Sequence, residues 1–238
     1  MLASKRATRP AAAPPAAPTA VPPSSKRRPV LLVLAGVNGA GKSSIGGDVM
    51  LRRAGVSWFD PDAYARLLID SGLPLGPAQA NARAWQHGVG LLDQALAAGH
   101  SHAFETTLGG TTMPQKIAAA ARTHDVLVWF CGLASAEQHI ARVAARVAAG
   151  GHDIPGATIR ERWVQAPLNL ISLMPHLSEL KLYDNSATVA VGSPVPDPAR
   201  ALHVRAGQVV YPLALQDLRR TPGWAKPIVK AARDFERS

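Results

Sequence analysis

The chain has 238 residues, of which 47% are hydrophobic, and this is enough for the packed core of one α/β domain. It contains no run of about 18 apolar residues, so we expect no membrane-spanning helix. Cys131 is the single cysteine, which excludes an internal disulfide framework and favours a reducing cytoplasm as the location.

The net charge of +10 lies mainly at the two ends of the chain. Residues 1–29 contain six Lys and Arg and no acid, and residues 216–238 contain six basic and three acidic residues. The segment between them has 14 basic and 13 acidic residues and is therefore close to neutral. Because basic ends are usually solvated arms, this distribution disfavours nucleic-acid binding as the main role and leaves it as an alternative.

Composition also predicts the domain organisation. Residues 1–28 are rich in Pro and Ala and have nothing with which to build a core, so we predict a disordered basic tail. Residues 29–215 form the predicted globular domain, and residues 216–238 a basic C-terminal extension.

Within the domain, short apolar segments alternate with segments of helical periodicity. This alternation predicts a three-layer α/β sandwich, in which a mostly parallel sheet has helices on both faces. The predicted strands are 29–36, 56–59, 101–105, 126–132 and 187–191, with a hairpin in 201–212. The predicted helices begin near residue 41, cover 78–99, 116–123 and 135–150, and resume near residue 156.

A glycine-rich loop follows the first strand and fits the pattern G-x-x-x-x-G-K-[ST] in full. In such a loop the backbone N–H groups and the following helix N-terminus bind phosphate, the lysine reaches the β and γ phosphates, and the hydroxyl ligates Mg²⁺. We therefore predict nucleotide binding by Gly36, Asn38, Gly39, Ala40, Gly41, Lys42, Ser43 and Ser44, with Ser43 as the metal ligand.

Two carboxylates follow the second strand, where α/β proteins place their ligands. Asp60 and Asp62 flank Pro61. A kinase requires a base near the acceptor hydroxyl, and we predict Asp62 for this role, with Asp60 as the competing residue or a substrate contact. Alternatively, one or both carboxylates cap the helix that follows.

The third strand ends in an acid and leads into a polar turn, "FETTLGG". We predict that Glu105 is the carboxylate on the Mg²⁺ side of the site, the alternative being a solvated acid at a strand end. The hydroxyls of Thr106 and Thr107 suit a polyhydroxylated or phosphorylated substrate, although an ordinary turn would also explain them.

Arginines lie on two helices around a glycine-rich break in "ARVAARVAAGGHDIPGATIRERW". Arg142 and Arg146 share one helix face outside the apolar stripe, and Arg160 and Arg162 open the next helix. Positive charge and exclusion of water both favour phosphoryl transfer, so we predict a helical lid over the phosphates. A solvated basic face is the alternative.

Taken together, these motifs resemble those of the zeta toxin family of P-loop kinases. The resemblance covers residues 31–186 and rests on "GVNGAGKSS", "DPDAYAR", "FETTLGG", "ARVAARVAAGGHDIP", "IRERW", "NL" and "YDNS". The P-loop occurs in many families, whereas the combination of the other motifs is far more specific. Asp60 departs from the family pattern, in which Asn is frequent.

The resemblance implies an ATP- or GTP-dependent kinase that phosphorylates a hydroxyl of a nucleotide sugar such as UDP-N-acetylglucosamine. It assigns Lys42 and Ser43 to nucleotide and Mg²⁺, Asp62 to the base, and Arg146 and Arg162 to the lid, with Arg160 competing for the last position. It also implies that an antitoxin, if one exists, is a separate protein. A metabolic kinase of another sugar or a nucleoside-like compound is the alternative within the same class.

Overall fold

The computed structural model describes residues 28–45, 57–188 and 196–237. In this part of the chain, one seven-stranded sheet is flanked by helices. The strands are β1 (Val30–Ala35), β2 (Ser57–Phe59), β3 (His102–Thr106), β4 (Asp125–Gly132), β5 (Glu179–Asp184), β6 (Ala199–Arg205) and β7 (Gln208–Tyr211). The α-helices are α1 (Pro61–Asp70), α2 (Pro77–Ala98), α3 (Thr112–Ala120), α4 (Ala136–Ala148), α5 (Gly156–Leu173), α6 (Leu215–Arg219) and α7 (Lys226–Glu236).

The strand order is β2-β3-β1-β4-β5-β6-β7. The first five strands are parallel, and β6 and β7 extend the sheet with antiparallel pairing. This arrangement confirms the predicted α/β sandwich with a mostly parallel sheet. The predicted hairpin is also confirmed, since β6 and β7 are joined at Ala206 and Gly207, both with positive φ.

The core lies on both faces of the central strands because β1 and β4 are hydrogen-bonded on both edges and apolar along their length. On one face Leu31 and Val33 join the side chains of α3, α5 and α7, and on the other Leu32 and Leu34 pack near the phosphate loop. The C-terminal edge of the parallel strands carries predicted site residues: Glu105 and Thr106 end β3, and Asp60 directly follows β2.

The fifth strand does not lie where the sequence predicts it. β5 is formed by Glu179–Asp184, so Tyr183 and Asp184 end a strand rather than form a turn before one. Of the predicted strand 187–191, residues 187–188 are outside any strand and residues 189–191 are outside the described part. The sequence does not predict β5 because the strand contains charged residues. One of them, Lys181, lies over the ring of Trp129, with its Nζ 4.9 Å from the ring centroid.

Two further predictions concern the ends of the domain. The helix predicted near residue 41 begins as a 3₁₀ turn, Lys42–Ile45, and residues 46–56 lie outside the described part. The basic C-terminal segment is not a solvated arm: Ile228, Val229 and Ala232 of α7 are buried against the sheet, and its charges face outward. None of the described helices is both long and apolar enough to cross a membrane.

Candidate active site

The phosphate loop begins where β1 ends, and its path requires glycine. Gly36 has φ of +142°, and a Cβ there would overlap the backbone carbonyl of Cys131 on β4. The Gly36 N–H donates to the carbonyl oxygen of Thr106 on β3, at 3.1 Å. The loop is therefore fixed between the two strands that flank β1, in the position from which its N–H groups bind phosphate in related folds.

Two buried side chains form hydrogen bonds to carbonyl groups of the phosphate loop. His139 Nδ1 lies 2.9 Å from the Asn38 carbonyl oxygen, and Asn185 Nδ2 donates to the Ala40 carbonyl oxygen at 2.9 Å. Burial lowers the pKa of His139 to about 4, so the ring is neutral at pH 7 and donates through Nδ1. These bonds engage carbonyl groups of the loop, and two of its N–H groups are also bound within the protein: that of Gly36 to Thr106, and that of Ala40 to the Val37 carbonyl oxygen at 3.0 Å.

Lys42 lies at the mouth of the loop beside an acid of β3. Its Nζ donates to the Gly36 carbonyl oxygen at 3.2 Å and lies 3.7 Å from Glu105 Oε2. Burial raises the pKa of Glu105, and Lys42 partly opposes that rise. Glu105 is therefore not a solvated acid at a strand end. The side chains of Ser43 and Ser44 are not among those that the structure describes.

The two aspartates of the "DPD" motif have different surroundings. Asp60 is the N-cap of α1, and its Oδ1 accepts hydrogen bonds from the N–H groups of Asp62 and Ala63 at 2.8 and 3.1 Å. Asp62 makes no such bond; its Oδ2 lies 3.7 Å from Arg146 Nη1 and its side chain is half exposed in the cleft. The capping alternative therefore describes Asp60, whereas Asp62 does not cap the helix and faces the cleft.

The arginines of α4 and α5 point to different places. Arg162 Nη1 donates to Asn38 Oδ1 of the phosphate loop at 2.7 Å, and its stem lies against Gly109. Arg146 Nη2 donates to the His152 carbonyl oxygen at 3.0 Å. Arg160 instead pairs with Glu137 at 3.1 Å, and 58% of its side chain is exposed.

Arg142, which shares a helix face with Arg146, also has a structural role. Its Nη2 donates to the carbonyl oxygen of Asn185 at 2.7 Å. Of the four arginines, Arg146 pairs with Asp62 and Arg162 bonds to Asn38 of the phosphate loop.

The turn after β3 is held in an unusual backbone conformation. The Thr106 and Thr107 hydroxyls accept hydrogen bonds from the N–H groups of Leu108 and Gly109, at 3.1 and 3.4 Å. Leu108 has φ of +52°, which is rare for a branched side chain. Asn169 of α5 stabilises this turn by donating to the Leu108 carbonyl oxygen at 2.6 Å. Both hydroxyls still line the cleft and have lone pairs free for a substrate.

These residues surround one cleft of about 620 Å³. Its lining includes Lys42, Glu105, Asp60, Asp62 and Arg162. Donor-side and acceptor-side residues that are far apart in sequence are thus brought together at the C-terminal edge of the sheet. The sequence did not assign several polar or aromatic residues that also line the cleft, among them Asn81, Trp85, Thr158 and Glu161.

Some signal for the unassigned residues was present in the sequence. Asn81 and Trp85 are four residues apart on α2, so they share a helix face, and that face lies off the apolar stripe. Asn169 and Asn185 belong to the short motifs "NL" and "YDNS", but nothing in those motifs indicates which backbone groups their amides bind.

Asn185 connects the phosphate loop to the C-terminal segment. Asp184, its neighbour, accepts a hydrogen bond from Trp224 Nε1 at 2.9 Å, and the Trp224 ring lies against Gly132 at the end of β4. Only 6% of Asn185 is exposed. The end of β5, the C-terminal segment and the phosphate loop are therefore joined through buried hydrogen bonds.

Replacing Asn185 with Ala is expected to lower both stability and nucleotide affinity. The change leaves the buried Ala40 carbonyl with the weaker Cys131 thiol as its donor, at 3.2 Å, so the free energy of unfolding should fall by about 1 kcal/mol. ATP affinity should fall by roughly tenfold as the loop loosens. Urea unfolding and ATP titration of the parent and the Ala variant measure these effects, and unchanged values in both would contradict the assigned bond.

The chain is similar to one known protein family and to several solved structures. The family model described as "Zeta toxin" matches residues 17–170, which is more than half of the chain. No curated protein matches it. Solved structures that it resembles include the AvrRxo1-ORF1:-ORF2 complex with ATP, with a TM-score of 0.59 and 18% identity over 83% of this chain. The chain spans 64% of the length of that protein.

A second similar structure is that of the PezAT chromosomal toxin–antitoxin system of Streptococcus pneumoniae. The TM-score is 0.51 with 12% identity, over 89% of this chain and 86% of that one. At these identities the two structures support the fold alone, whereas the family match covers the phosphate loop, both aspartates, Glu105 and the arginines. The chain therefore belongs to the zeta toxin family.

Proposed function

We propose that this protein transfers the γ-phosphoryl group of ATP or GTP to a hydroxyl group of a small molecule. The observation that carries the proposal is the shared cleft: Lys42 and Glu105 on the donor side line the same cavity as Asp62 on the acceptor side. A hydrolase needs no second carboxylate beside an acceptor pocket, whereas a kinase must position an acceptor hydroxyl there.

On the donor side, the N–H groups of the phosphate loop and Lys42 would bind the β and γ phosphates. The hydroxyl of Ser43 and the carboxylate of Glu105 would hold Mg²⁺, which prefers oxygen ligands and is bound by one or two carboxylates together with phosphate oxygens. When bound, Mg²⁺ neutralises charge on the phosphates during transfer. The position of Glu105 beside Lys42 supports this assignment, since both would face the same phosphate group.

On the acceptor side, Asp62 would accept the proton of the attacking hydroxyl. Asp60 would support it indirectly by capping α1, and the Thr106 and Thr107 hydroxyls would contact the substrate. Arg146 and Arg162 would stabilise charge on the transferring group, and the helices that carry them would form the lid.

This proposal has two forms, which differ in the identity of the acceptor. The family resemblance favours a nucleotide sugar such as UDP-N-acetylglucosamine, and the alternative is another sugar or a nucleoside-like compound. ATP is the first donor to test, because the similar AvrRxo1 complex was solved with ATP. A cytoplasmic location and a separate antitoxin protein are also part of the proposal, the latter because the similar PezAT structure is of a toxin–antitoxin system.

Acceptor-dependent phosphorylation distinguishes a kinase from an ATPase that binds nucleic acid through basic ends. A variant lacking residues 1–27 should retain transfer of ³²P from [γ-³²P]ATP to small acceptors, because the site lies within residues 36–162. ATP turnover that requires DNA or RNA and is not raised by any small acceptor would show that the kinase proposal is wrong.

A further inference from the structure

A second cavity, of about 530 Å³, borders the phosphate loop and shares no described lining residue with the cleft of the candidate active site. It lies near the ends of β1 and β4, between α5 and the segment 223–227. Small-molecule sites typically have volumes of about 300–1,000 Å³ and mainly apolar linings. The larger side chains of this lining fit that description, and they are Phe130, Leu133, Trp163, Val164, Leu168 and Trp224.

Two tryptophans supply flat apolar surface to this cavity. The Nε1 of Trp163 donates to the Leu133 carbonyl oxygen at 3.4 Å, and the Nε1 of Trp224 donates to Asp184 Oδ1 at 2.9 Å. Both indole N–H groups are thus bound within the protein, so the rings are held in place and offer their π surface to a ligand. The family match ends at residue 170, so the wall that Trp224 forms belongs to a part of the chain outside that match.

The cavity is open to solvent along one face of α5. Val164 and Leu168 lie one helical turn apart, and they are 58% and 55% exposed although both line the cavity. A ligand would cover this apolar surface, which favours binding. Of the described residues in the lining, none is an acid, a lysine or an arginine, so a charged ligand would lose its hydration without gaining an ionic partner.

Two groups at the cavity wall are hydrogen-bond acceptors. Burial lowers the pKa of His139 to about 4, so its ring is neutral at pH 7. Because Nδ1 donates to the Asn38 carbonyl oxygen, the buried Nε2 is an acceptor, and it has no hydrogen-bond partner in the described part of the chain. Pro167 lies within α5 and has no N–H, so the Trp163 carbonyl oxygen lacks the donor that a helix normally supplies four residues later. Either acceptor suits a ligand with an N–H or O–H group.

The same cavity contacts the phosphate loop. Val37 of the loop is part of the lining, and His139 bonds to the next loop residue, Asn38. A ligand that packs on Val37 and His139 would favour the loop conformation of this structure, which is the one that we propose for ATP binding. Two ligands that favour the same conformation raise each other's affinity.

We propose that this cavity is a regulatory site for an uncharged aromatic compound with an N–H or O–H group, and that its occupancy raises the affinity for ATP. The aromatic ring lies against Trp163 and Trp224, and the N–H or O–H group donates to one of the two acceptors. The inference goes beyond phosphoryl transfer, since the cavity is separate from the cleft in which transfer is proposed.

The donor requirement is tested with indole and 1-methylindole, two probes with the same ring system of which only indole has an N–H group. Calorimetric titration of the full-length protein should show saturable binding of indole. The Kd should be roughly 3- to 10-fold lower for indole than for 1-methylindole, which is the effect of one hydrogen bond. Absence of saturable indole binding would overturn the site, and equal affinities would overturn the assigned hydrogen bond.

The location of the site is tested by Leu168→Glu, which places a charge in the apolar wall. The Kd for indole should rise roughly tenfold or more, and the melting temperature should stay near that of the parent because the position is exposed. Leu215→Glu is the matched control, since Leu215 is 68% exposed and lines neither of the two cavities. Unchanged indole binding in Leu168→Glu would show that the probe binds elsewhere and would overturn the site.

The link to the phosphate loop is tested by titrating ATP with and without saturating indole. The Kd for ATP should fall roughly fivefold or more, and saturating ATP should lower the Kd for indole by the same factor. In Leu168→Glu, the same concentration of indole should leave the Kd for ATP unchanged. An ATP affinity that indole does not raise in the parent would overturn the regulatory role. These titrations need no acceptor, so their outcome is independent of whether the kinase proposal fails.

Discussion

Replacing Asp62 with Asn is expected to lower phosphoryl transfer by about 100-fold or more, in line with the contribution of a general base. The amide keeps the shape of the side chain but cannot take the proton of the acceptor hydroxyl. ATP binding should stay near that of the parent, because the phosphate loop does not contact Asp62. Single-turnover transfer and ATP titration measure the two effects separately.

Asp60→Asn is the matched control for this variant. Asparagine caps helices as well as aspartate does, so α1 should keep its N-cap and transfer should fall less than in Asp62→Asn. If Asp60→Asn were the severely impaired variant and Asp62→Asn remained active, the base would be Asp60. If both variants lost their thermal transition, the pair would be structural and Glu105 would be the next candidate.

Replacing Arg162 with Ala is expected to lower kcat by roughly 10- to 1000-fold, since one well-placed charge stabilises a transition state by several kcal/mol. The guanidinium contacts Asn38 of the phosphate loop, and this loop is where we propose that the phosphates bind. ATP affinity should fall less than kcat, because the loop N–H groups hold the ground state. Steady-state kinetics at saturating acceptor measure kcat and the KM for ATP together.

Arg160→Ala provides the control on the same helix. Its side chain is exposed and pairs with Glu137, so the variant should keep the parent's kcat and stability within a small margin. Arg146→Ala should also lower kcat, and its melting temperature should be checked because Arg146 also bonds to the His152 carbonyl. Unchanged kcat in both Arg146→Ala and Arg162→Ala would show that the bonds of these arginines have a structural role only.

Several features of the protein follow from the sequence alone, because they depend on local chemistry. The continuous apolar run of β1 ending at Gly36 predicts a buried strand followed by a phosphate loop, and the glycines of that loop are required by its backbone path. The alternation of strands and helices predicts a parallel sheet, whose C-terminal edge carries the ligand site. The aspartates, Glu105 and the arginines could therefore be assigned to one site before the structure was known.

Other features depend on what each side chain meets in three dimensions. Arg160 and Arg162 are both at the start of α5, and only packing decides that Arg162 faces Asn38 while Arg160 faces Glu137. Residues two positions apart on a helix are separated by about 200° around its axis, so Arg160 and Arg162 lie on opposite sides of α5. Asp60 and Asp62 were distinguished in the same way, by the helix N-terminus that Asp60 caps.

The tertiary structure alone also decided where β5 lies and which further side chains line the cleft. Lys181 and Glu179 give β5 a polar pattern, and only the partners of these side chains, Trp129 and His203, show that a strand fits there. Trp85 lies off the apolar stripe of α2, but nothing in the sequence indicates that this face of the helix borders the cleft. Its position in the cleft results from how α2 packs, which depends on contacts between residues distant in the chain.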